Sequence, residues 1–295
     1  MKKRLLITGI TGFTGPFIRQ EFERAGWEVF GFGTRPSEQS NYAIVELGNL
    51  EKLSSYVKFV TPNAVIHLAG IAYAAHNTPQ DYYNIHVQGT LNLLEALMPI
   101  SKSVQKVVLA STSNVYGNNN SAGLCEDAPL KPFNDYGVSK LAMEYMAWLW
   151  RDKLPIAIAR PFNYTGVGQS ERFIIPKIIA HFKNRADKIE LGRLDTKRDY
   201  SDVRDIAFAY RRLIEEPRSA GGINLCSGNA VTVLDIISMA NKLSGHEIAI
   251  DVNPALIRDN EAQALIGNGG KFDTLVPDHR RRSLEDTLSW MLNSY

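Results

Sequence analysis

Cysteine is scarce in this chain: Cys125 and Cys226 are the only two among 295 residues, and they lie far apart. A disulfide framework is thereby excluded, and the usage fits a reducing compartment in which thiols serve as small core or surface groups. Long apolar runs are missing too. No stretch reaches the ~18 consecutive apolar residues of a membrane span. Met1-Lys2-Lys3-Arg4 before Leu5-Leu6-Ile7 has the outline of an export signal, but Thr8 and Gly9 cut the run short of the roughly 7 to 15 apolar residues that such a signal needs. The expected location is the cytoplasm. Net charge is nearly absent, since 33 basic and 31 acidic residues leave +2, which argues against nucleic acid or a membrane surface as partner. The Arg280-Arg281-Arg282 run after His279 reads as a solvated face of a helix-like segment. Six histidines show no clustered ligand spacing, so no metal site is expected.

What is present starts at Thr8-Gly9-Ile10-Thr11-Gly12-Phe13-Thr14-Gly15. The apolar run 5–7 before it has strand character, and residues 17–24 after it have helical spacing. Strand, three-glycine turn and helix make a phosphate cradle: glycines permit close backbone approach, and a helix start offers unpaired N–H groups carrying partial positive charge. The spacing is G-x-x-G-x-x-G, a variant of the general dinucleotide fingerprint. Strands are expected at 28–32, 43–45, 64–70, 106–110 and 155–159, with helices at 50–59, 88–97 and 136–153. Such alternation predicts an α/β fold with a doubly wound parallel sheet. Beyond Arg160-Pro161-Phe162-Asn163 the alternation weakens, apart from a helical stretch at 174–182. We therefore expect a sheet domain of residues 1–165 with 199–226, and a smaller lobe of 166–198 with 227–295. With 44% hydrophobic residues the chain can bury a full core.

The end of the second strand bears on the coenzyme. An acid there would bind a ribose 2′-hydroxyl, whereas an Arg suits a 2′-phosphate; the chain offers Gly33-Thr34-Arg35 with no acid before Glu38. NADP is expected ahead of NAD. Further on, Tyr136 and Lys140 stand at i and i+4, on one helix face. A free phenol, with a pKa near about 10, is a poor acid or base at neutrality, and a neighbouring ammonium would lower that value.

With these motifs in order, the chain resembles the extended short-chain dehydrogenase/reductases that act on nucleotide-linked sugars. The likeness rests on the glycine turn, His67-Leu68-Ala69-Gly70, Ser111-Thr112-Ser113-Asn114-Val115-Tyr116-Gly117, Tyr136 with Lys140, Arg160-Pro161-Phe162-Asn163 and Arg198-Asp199-Tyr200. It implies a Rossmann-type sheet with a C-terminal substrate lobe. It also implies that Thr112 bonds the sugar oxygen, that Tyr136 exchanges its proton, and that Lys140 binds the nicotinamide ribose. Coenzyme contacts are implied at Gly9, Thr11, Gly12, Phe13, Gly15, Arg35, Glu46, Leu47, Leu68, Ala69, Gly70, Ala110 and Phe162. Substrate contacts are implied at Ser113, Asn114, Asn163, Arg193, Arg198, Arg258 and Glu261.

Within the family the chain is similar to GDP-4-keto-6-deoxymannose reductases, which implies NADPH-dependent reduction of the C4 ketone of a GDP-linked 4-keto-6-deoxyhexose. Sugar dehydratases carry an Asp-Glu pair after the catalytic threonine; Ser113-Asn114 stands here instead, which fits reduction without elimination. Three departures stand out: Tyr164 in place of a His, His86 in place of an Asn, and Glu46 in place of an Asp. The rival readings are a dTDP-4-keto-6-deoxyglucose reductase, a 4-epimerase holding NAD, and a non-enzymatic dinucleotide sensor. Family likeness also suggests a homodimer formed through residues 91–97 and 141–150. His67 reads as a satisfied strand-end histidine, and Tyr73, Tyr82 and Tyr83 as packing groups.

Overall fold

The computed structural model describes residues 2–71, 78–119, 123–257 and 262–294. The first part of the chain alternates strand and helix: β1 (Arg4–Thr8), α1 (Gly15–Arg24), β2 (Glu28–Gly33), β3 (Tyr42–Ile44), α2 (Leu50–Val60), β4 (Ala64–His67), α3 (Pro79–Tyr83), α4 (Gly89–Leu97), β5 (Lys106–Ala110), α5 (Asp135–Trp148) and β6 (Ile156–Pro161). There follow β7 (Asn163–Thr165), α6 (Ile174–Lys183), β8 (Lys188–Leu191), β9 (Lys197–Asp202), α7 (Val203–Glu215), β10 (Gly221–Leu225), β11 (Ala230–Val231), α8 (Val233–Ser244), β12 (Ala249–Val252), β13 (Ala264–Leu265), α9 (Gly270–Leu275) and α10 (Leu284–Asn293).

Seven parallel strands form one sheet in the order β10-β6-β5-β4-β1-β2-β3. The order reverses between β1 and β4, which places the glycine turn at the switch point of a doubly wound sheet, where such folds bind ligands. Leu5, Leu6 and Ile7 are wholly buried, as an apolar run covered on both faces requires. Leu5 and Ile7 face Ile18, Phe22, Tyr210 and Leu213 of α1 and α7. Leu6 faces Leu53, Val57, Leu93 and Met143 of α2, α4 and α5. A separate core joins Ile178, Phe182, Ile189, Ile236, Leu288 and Met291. Among the described residues no helix is long and apolar enough to cross a membrane.

Several expected boundaries shift. The helix expected over 136–153 ends at Trp148; turns follow, and Leu154 is buried just before Pro155, whose ring disfavours helical backbone at the residue ahead of it. β3 runs one residue earlier than 43–45. The helix expected at 88–97 is preceded by α3 and a π turn, Asn84–Gln88. The Thr78 N–H donates to Asp81 Oδ2 at 3.1 Å to start α3, while polar Asn84, His86 and Gln88 hide the apolar period. β9 pairs with β7, β11 and β13 rather than with the large sheet, while within the expected 199–226 segment α7 packs on the large sheet and β10 forms its edge strand. Conversely, Phe272 of α9 packs into the core beneath the large sheet. Cys226 is buried and Cys125 exposed.

Buried polar groups pin the strand ends. Glu144 of α5 meets Arg160 of β6 at 2.6 Å, with side-chain exposures of 6% and 7%. The Ser111 hydroxyl donates to Glu144, and Arg160 Nη1 donates to Tyr116 Oη at 3.0 Å and to the Glu126 carbonyl at 3.1 Å. Removing one charge of such a pair strands the other, at a cost of about 3–5 kcal/mol. Nearby, the Thr8 hydroxyl accepts from Ala69 N–H at 3.0 Å and lies 2.6 Å from His67 Nδ1. His67 Nε2 lies 3.0 Å from Thr90 Oγ1, whose proton goes to the His86 carbonyl at 2.6 Å. The network therefore assigns the imidazole proton to Nε2. His67 joins β1, β4 and α4 as a neutral ring.

Burial, with the Lys140 charge adding to it, holds His67 down to about 3. The unfolded histidine takes a proton below about 6.5 and the folded one does not, so this contribution is complete above that pH and is lost as pH falls from there towards 3. Urea unfolding at pH 7.5 and pH 5 should show His67→Asn losing about 2 kcal/mol less than the parent over that interval. Equal losses in both proteins would refute the assignment.

Candidate active site

The glycine turn is shaped by contacts that leave no room for side chains. Gly9 has φ +67°, and a Cβ there would lie 2.9 Å from the Ala69 backbone. A Cβ on Gly15 would lie 2.0 Å from the Ile10 carbonyl oxygen, which fixes the entry of α1 against the strand end. Gly9 N–H donates to the Phe32 carbonyl at 2.9 Å, binding the turn across β2. The α1 N-cap makes no side-chain hydrogen bond, so the helix start keeps donors for an anion. A backbone cradle with an uncapped helix behind it fits a pyrophosphate.

The catalytic candidates come together beside it. A Cβ on Gly70 would lie 3.3 Å from Lys140 Nζ, so the segment after β4 links the turn to α5. Lys140 is buried and donates to the Ala110 carbonyl at 2.7 Å; burial lowers its pKa to about 8, with Glu144 pulling the other way. Thr112 accepts from Asn114 N–H at 3.2 Å and from Nδ2 at 3.0 Å, which fixes its hydroxyl at the start of a 3₁₀ turn, Ser113–Tyr116.

The phenol of Tyr136 differs from expectation. Burial raises it to about 12, and a hydrogen bond with Thr112 opposes that rise only partly. Lys140 was expected to lower it. The ammonium is engaged by the Ala110 carbonyl instead, and desolvation prevails. Tyr136 therefore keeps its proton through the physiological range. His86 and Tyr82 pack edge-on against its ring, with centroids at 5.7 and 6.1 Å.

The remaining coenzyme candidates divide. Leu68, Ala69 and Ala110 are partly exposed and Gly70 is exposed, around the strand ends near the turn. Thr11 Oγ1 would be 3.3 Å from a Cβ on Gly33. Arg35 is exposed, and its carbonyl accepts from the Tyr42 hydroxyl. Glu46 is exposed. Leu47 packs towards Gly89, and its carbonyl accepts from Asn92 Nδ2 at 2.8 Å. The Phe162 side chain does not join this group: it is buried with Tyr116, Leu265 and Cys226 and stacks on Tyr116 with ring centroids 6.1 Å apart. The outward position beyond β6 is taken by Asn163.

Asn163 pairs with Tyr200 in the β7–β9 register, and its buried Nδ2 makes no hydrogen bond among the described residues. Arg198 lies two residues from Tyr200 on β9, so both share a face. Asp199, on the opposite face, is buried and accepts from Ser227 N–H and Gly228 N–H, each at 2.8 Å, which holds β9 in place. Arg198 Nη1 donates to the Lys197 carbonyl at 2.9 Å. Arg193 is exposed and 3.9 Å from Asp195. Ser113 is buried beside Thr112 and Asn114 is partly exposed. Arg258, Glu261 and Tyr73 lie outside the described residues. Among the described residues no cluster of His, Cys, Asp or Glu could hold a metal.

Two groups at the site were not assigned from sequence. Tyr164 reaches the glycine turn, with Oη 2.8 Å from Thr14 Oγ1. His86 accepts from Ile71 N–H at 3.1 Å and lies 2.9 Å from Ser139 Oγ, which in turn donates to the Tyr136 carbonyl at 2.9 Å. Both positions had stood out as departures from the family pattern, and that was the available signal.

The family model described as "NAD dependent epimerase/dehydratase family" matches residues 5–226. The chain is 32% identical to a GDP-6-deoxy-D-mannose reductase of Pseudomonas aeruginosa, over 98% of this chain and 92% of the relative. It is 30% identical to a GDP-6-deoxy-D-talose 4-dehydrogenase of Aggregatibacter actinomycetemcomitans, over 98% of this chain and 96% of the relative. A solved structure of RMD from Pseudomonas aeruginosa complexed with NADPH superposes with a TM-score of 0.86 at 29% identity, covering 99% of this chain and 97% of that one. With its parallel sheet, its glycine turn and these likenesses, the chain belongs to the NAD dependent epimerase/dehydratase family of NAD(P)-dependent enzymes.

Proposed function

We propose that this enzyme reduces the C4 ketone of a GDP-linked 4-keto-6-deoxyhexose with NADPH. The observation that carries the reading is the group of Thr112, Tyr136 and Lys140 beside the glycine turn, with Lys140 Nζ 2.7 Å from the Ala110 carbonyl and close to Gly70. A phenol is protonated at neutrality and can give the proton that a reduction consumes. The relatives' names support the sugar: 6-deoxy-D-mannose and 6-deoxy-D-talose differ only at C4, so one 4-keto sugar stands between them. Ser113 and Asn114, lacking a carboxylate, support reduction without elimination.

Gly9, Gly12, Gly15 and the start of α1 would hold the pyrophosphate of the coenzyme, Thr11, Phe13, Leu68, Ala69, Gly70 and Ala110 would flank it, and Glu46 and Leu47 would lie by the adenosine. Arg35, on a loop tied down through Tyr42, would meet a 2′-phosphate and favours NADPH over NADH. The bound coenzyme supplies hydride. Lys140 would hold its ribose, Thr112 would orient the ketone oxygen, and Tyr136 would give that oxygen its proton. Arg198, with Arg193, Arg258 and Glu261, would bind the nucleotide diphosphate, since a guanidinium can meet phosphate oxygens bidentately. The buried amide of Asn163 would meet the sugar or its phosphate.

The reading assigns coenzyme to residues 1–165 with 199–226 and substrate to 166–198 with 227–295, in a cytoplasmic protein. Tyr145 and Trp148 of α5 and Leu149 just after it are exposed at 64%, 48% and 76%, an apolar face that favours a homodimer through α4 and α5.

On GDP-4-keto-6-deoxymannose with NADPH, Tyr136→Phe should lower turnover by about 10²- to 10⁴-fold with coenzyme affinity largely kept, measured by NADPH consumption and by titration. Near-normal turnover would overturn the mechanism. Activity confined to dTDP-linked sugars would reassign the base, and sugar interconversion without added NADPH would favour an epimerase. Arg198→Ala should raise KM for the nucleotide sugar about tenfold or more with a smaller change in kcat. An unchanged KM would remove Arg198 from the diphosphate site.

A further inference from the structure

Arg19 of α1 lies one turn beyond Gly15, and its side chain is only 12% exposed. Arginine is seldom covered to this degree unless it is paired. Its guanidinium leaves its own helix for the connection between β2 and β3: Nη2 donates to the Ser40 carbonyl at 2.5 Å and Nη1 to Gln39 Oε1 at 3.2 Å. Nη2 also donates to the Val29 carbonyl of β2 at 3.4 Å, and Glu23, at i+4, stands 3.4 Å from Nε. A planar fork holds such acceptors in one geometry, which an ammonium on a flexible stem does not.

The connection, residues 34–41, carries Arg35. At its start the Tyr42 hydroxyl donates to the Arg35 carbonyl, and Pro36 disfavours helical backbone at Arg35. At its end Asn41 is left-handed, φ 56°, and its carbonyl accepts from Gly31 N–H at 2.9 Å. Between these points, among the described residues, the Arg19 guanidinium is the group that ties residues 36–40 to the rest of the protein by hydrogen bonds. The Arg35 side chain is exposed. A Cβ on Gly33, two residues before it, would lie 3.3 Å from Thr11 Oγ1, so the connection borders the glycine turn.

One rigid helix thus governs two places: its start closes the glycine turn, and Arg19 holds the connection that presents Arg35. A phosphorylated dinucleotide coenzyme carries its pyrophosphate and its 2′-phosphate on one adenosine ribose, so the two anions arrive at a restricted spacing. We propose that Arg19 is a positioning residue for coenzyme choice: its fork fastens residues 39–40 to α1 and so keeps Arg35 where a 2′-phosphate falls once the pyrophosphate is seated on the glycine turn. This role rests on the NADPH reading given above. Arg19 touches neither phosphate in it and acts through the connection.

Amide hydrogen exchange of the coenzyme-free chain, with fluorescence titrations of NADPH and NADH, tests this without turnover. Arg19→Gln should speed exchange over residues 34–41 about threefold or more. It should weaken NADPH binding about three- to tenfold, as a loosened charge-assisted contact would, and leave NADH within about twofold. Arg19→Lys keeps the charge without the fork and should behave as Arg19→Gln does. In an Arg35→Ala background, Arg19→Gln should change NADPH affinity by no more than about twofold further. Unchanged exchange over 34–41, or an equal loss for NADPH and NADH, overturns the proposal. Full recovery in Arg19→Lys overturns it too, since the charge alone would then suffice. A parent that binds NADPH no more tightly than NADH overturns the NADPH reading and this role with it; a parent that prefers NADPH, with the preference intact in Arg19→Gln, overturns the role alone.

Discussion

The glycine turn passes so close to the neighbouring strand ends that only backbone fits. Between Gly9 and Ala69, and between Gly15 and Ile10, a single Cβ would clash, so the turn wraps tightly over the switch point of the sheet, its glycine amides bonded to the Phe32, Gly9 and Gly12 carbonyls. That approach fixes where α1 begins and where the segment after β4 runs. Through Gly70 it also fixes the distance to Lys140. A substituted Gly15 would have to push α1 off the sheet, and the core of Ile18 and Phe22 with it. The glycine turn and one sheet face thus share a single steric constraint.

Around that turn the chain holds its polar groups by burial and pairing rather than by exposed charge. His67 and His86 are buried and neutral, lowered to about 3 and about 2 mainly by desolvation, and Lys140 is the ammonium among them. Glu144 and Arg160 neutralise each other behind Ser111. Desolvation of this kind is costly unless each donor finds an acceptor, and here the bonds run without a break from Thr8 through His67 and Thr90 to the His86 carbonyl. The outcome is a rigid seat for Thr112 and Tyr136. The price is a sensitivity to acid.

Much of this was legible in the sequence because it is local. The strands around Leu5-Leu6-Ile7 and Val107-Val108-Leu109 announce themselves as apolar runs, and the glycine spacing predicts the turn before any strand pairing is known. The i, i+4 spacing of Tyr136 and Lys140 puts them on one helix face. What it could not give was the balance of forces on the phenol. A neighbouring ammonium suggested a lowered pKa, but the carbonyl of Ala110, 30 residues away in sequence, engages Lys140, and burial raises Tyr136. Phe162 illustrates the same limit: its motif pointed to the coenzyme, and strand alternation turned its ring into a core with Tyr116. The small strands β7, β9, β11 and β13 were invisible because two- to six-residue strands carry almost no periodicity. Tyr164 and His86 were noticed only as unusual residues, since their partners Thr14 and Ser139 become neighbours only on folding.

The central claim is that hydride passes directly between the nicotinamide and the C4 carbon of the sugar while Tyr136 supplies the proton. NADPH carrying deuterium at the transferable position of its nicotinamide, incubated with the enzyme and GDP-4-keto-6-deoxymannose, tests it most directly by mass spectrometry and NMR of the isolated product. The account predicts one deuterium at C4 of the product sugar for each NADP⁺ formed. A reduced sugar without that deuterium, or a converted sugar with the label still on the coenzyme, would contradict it.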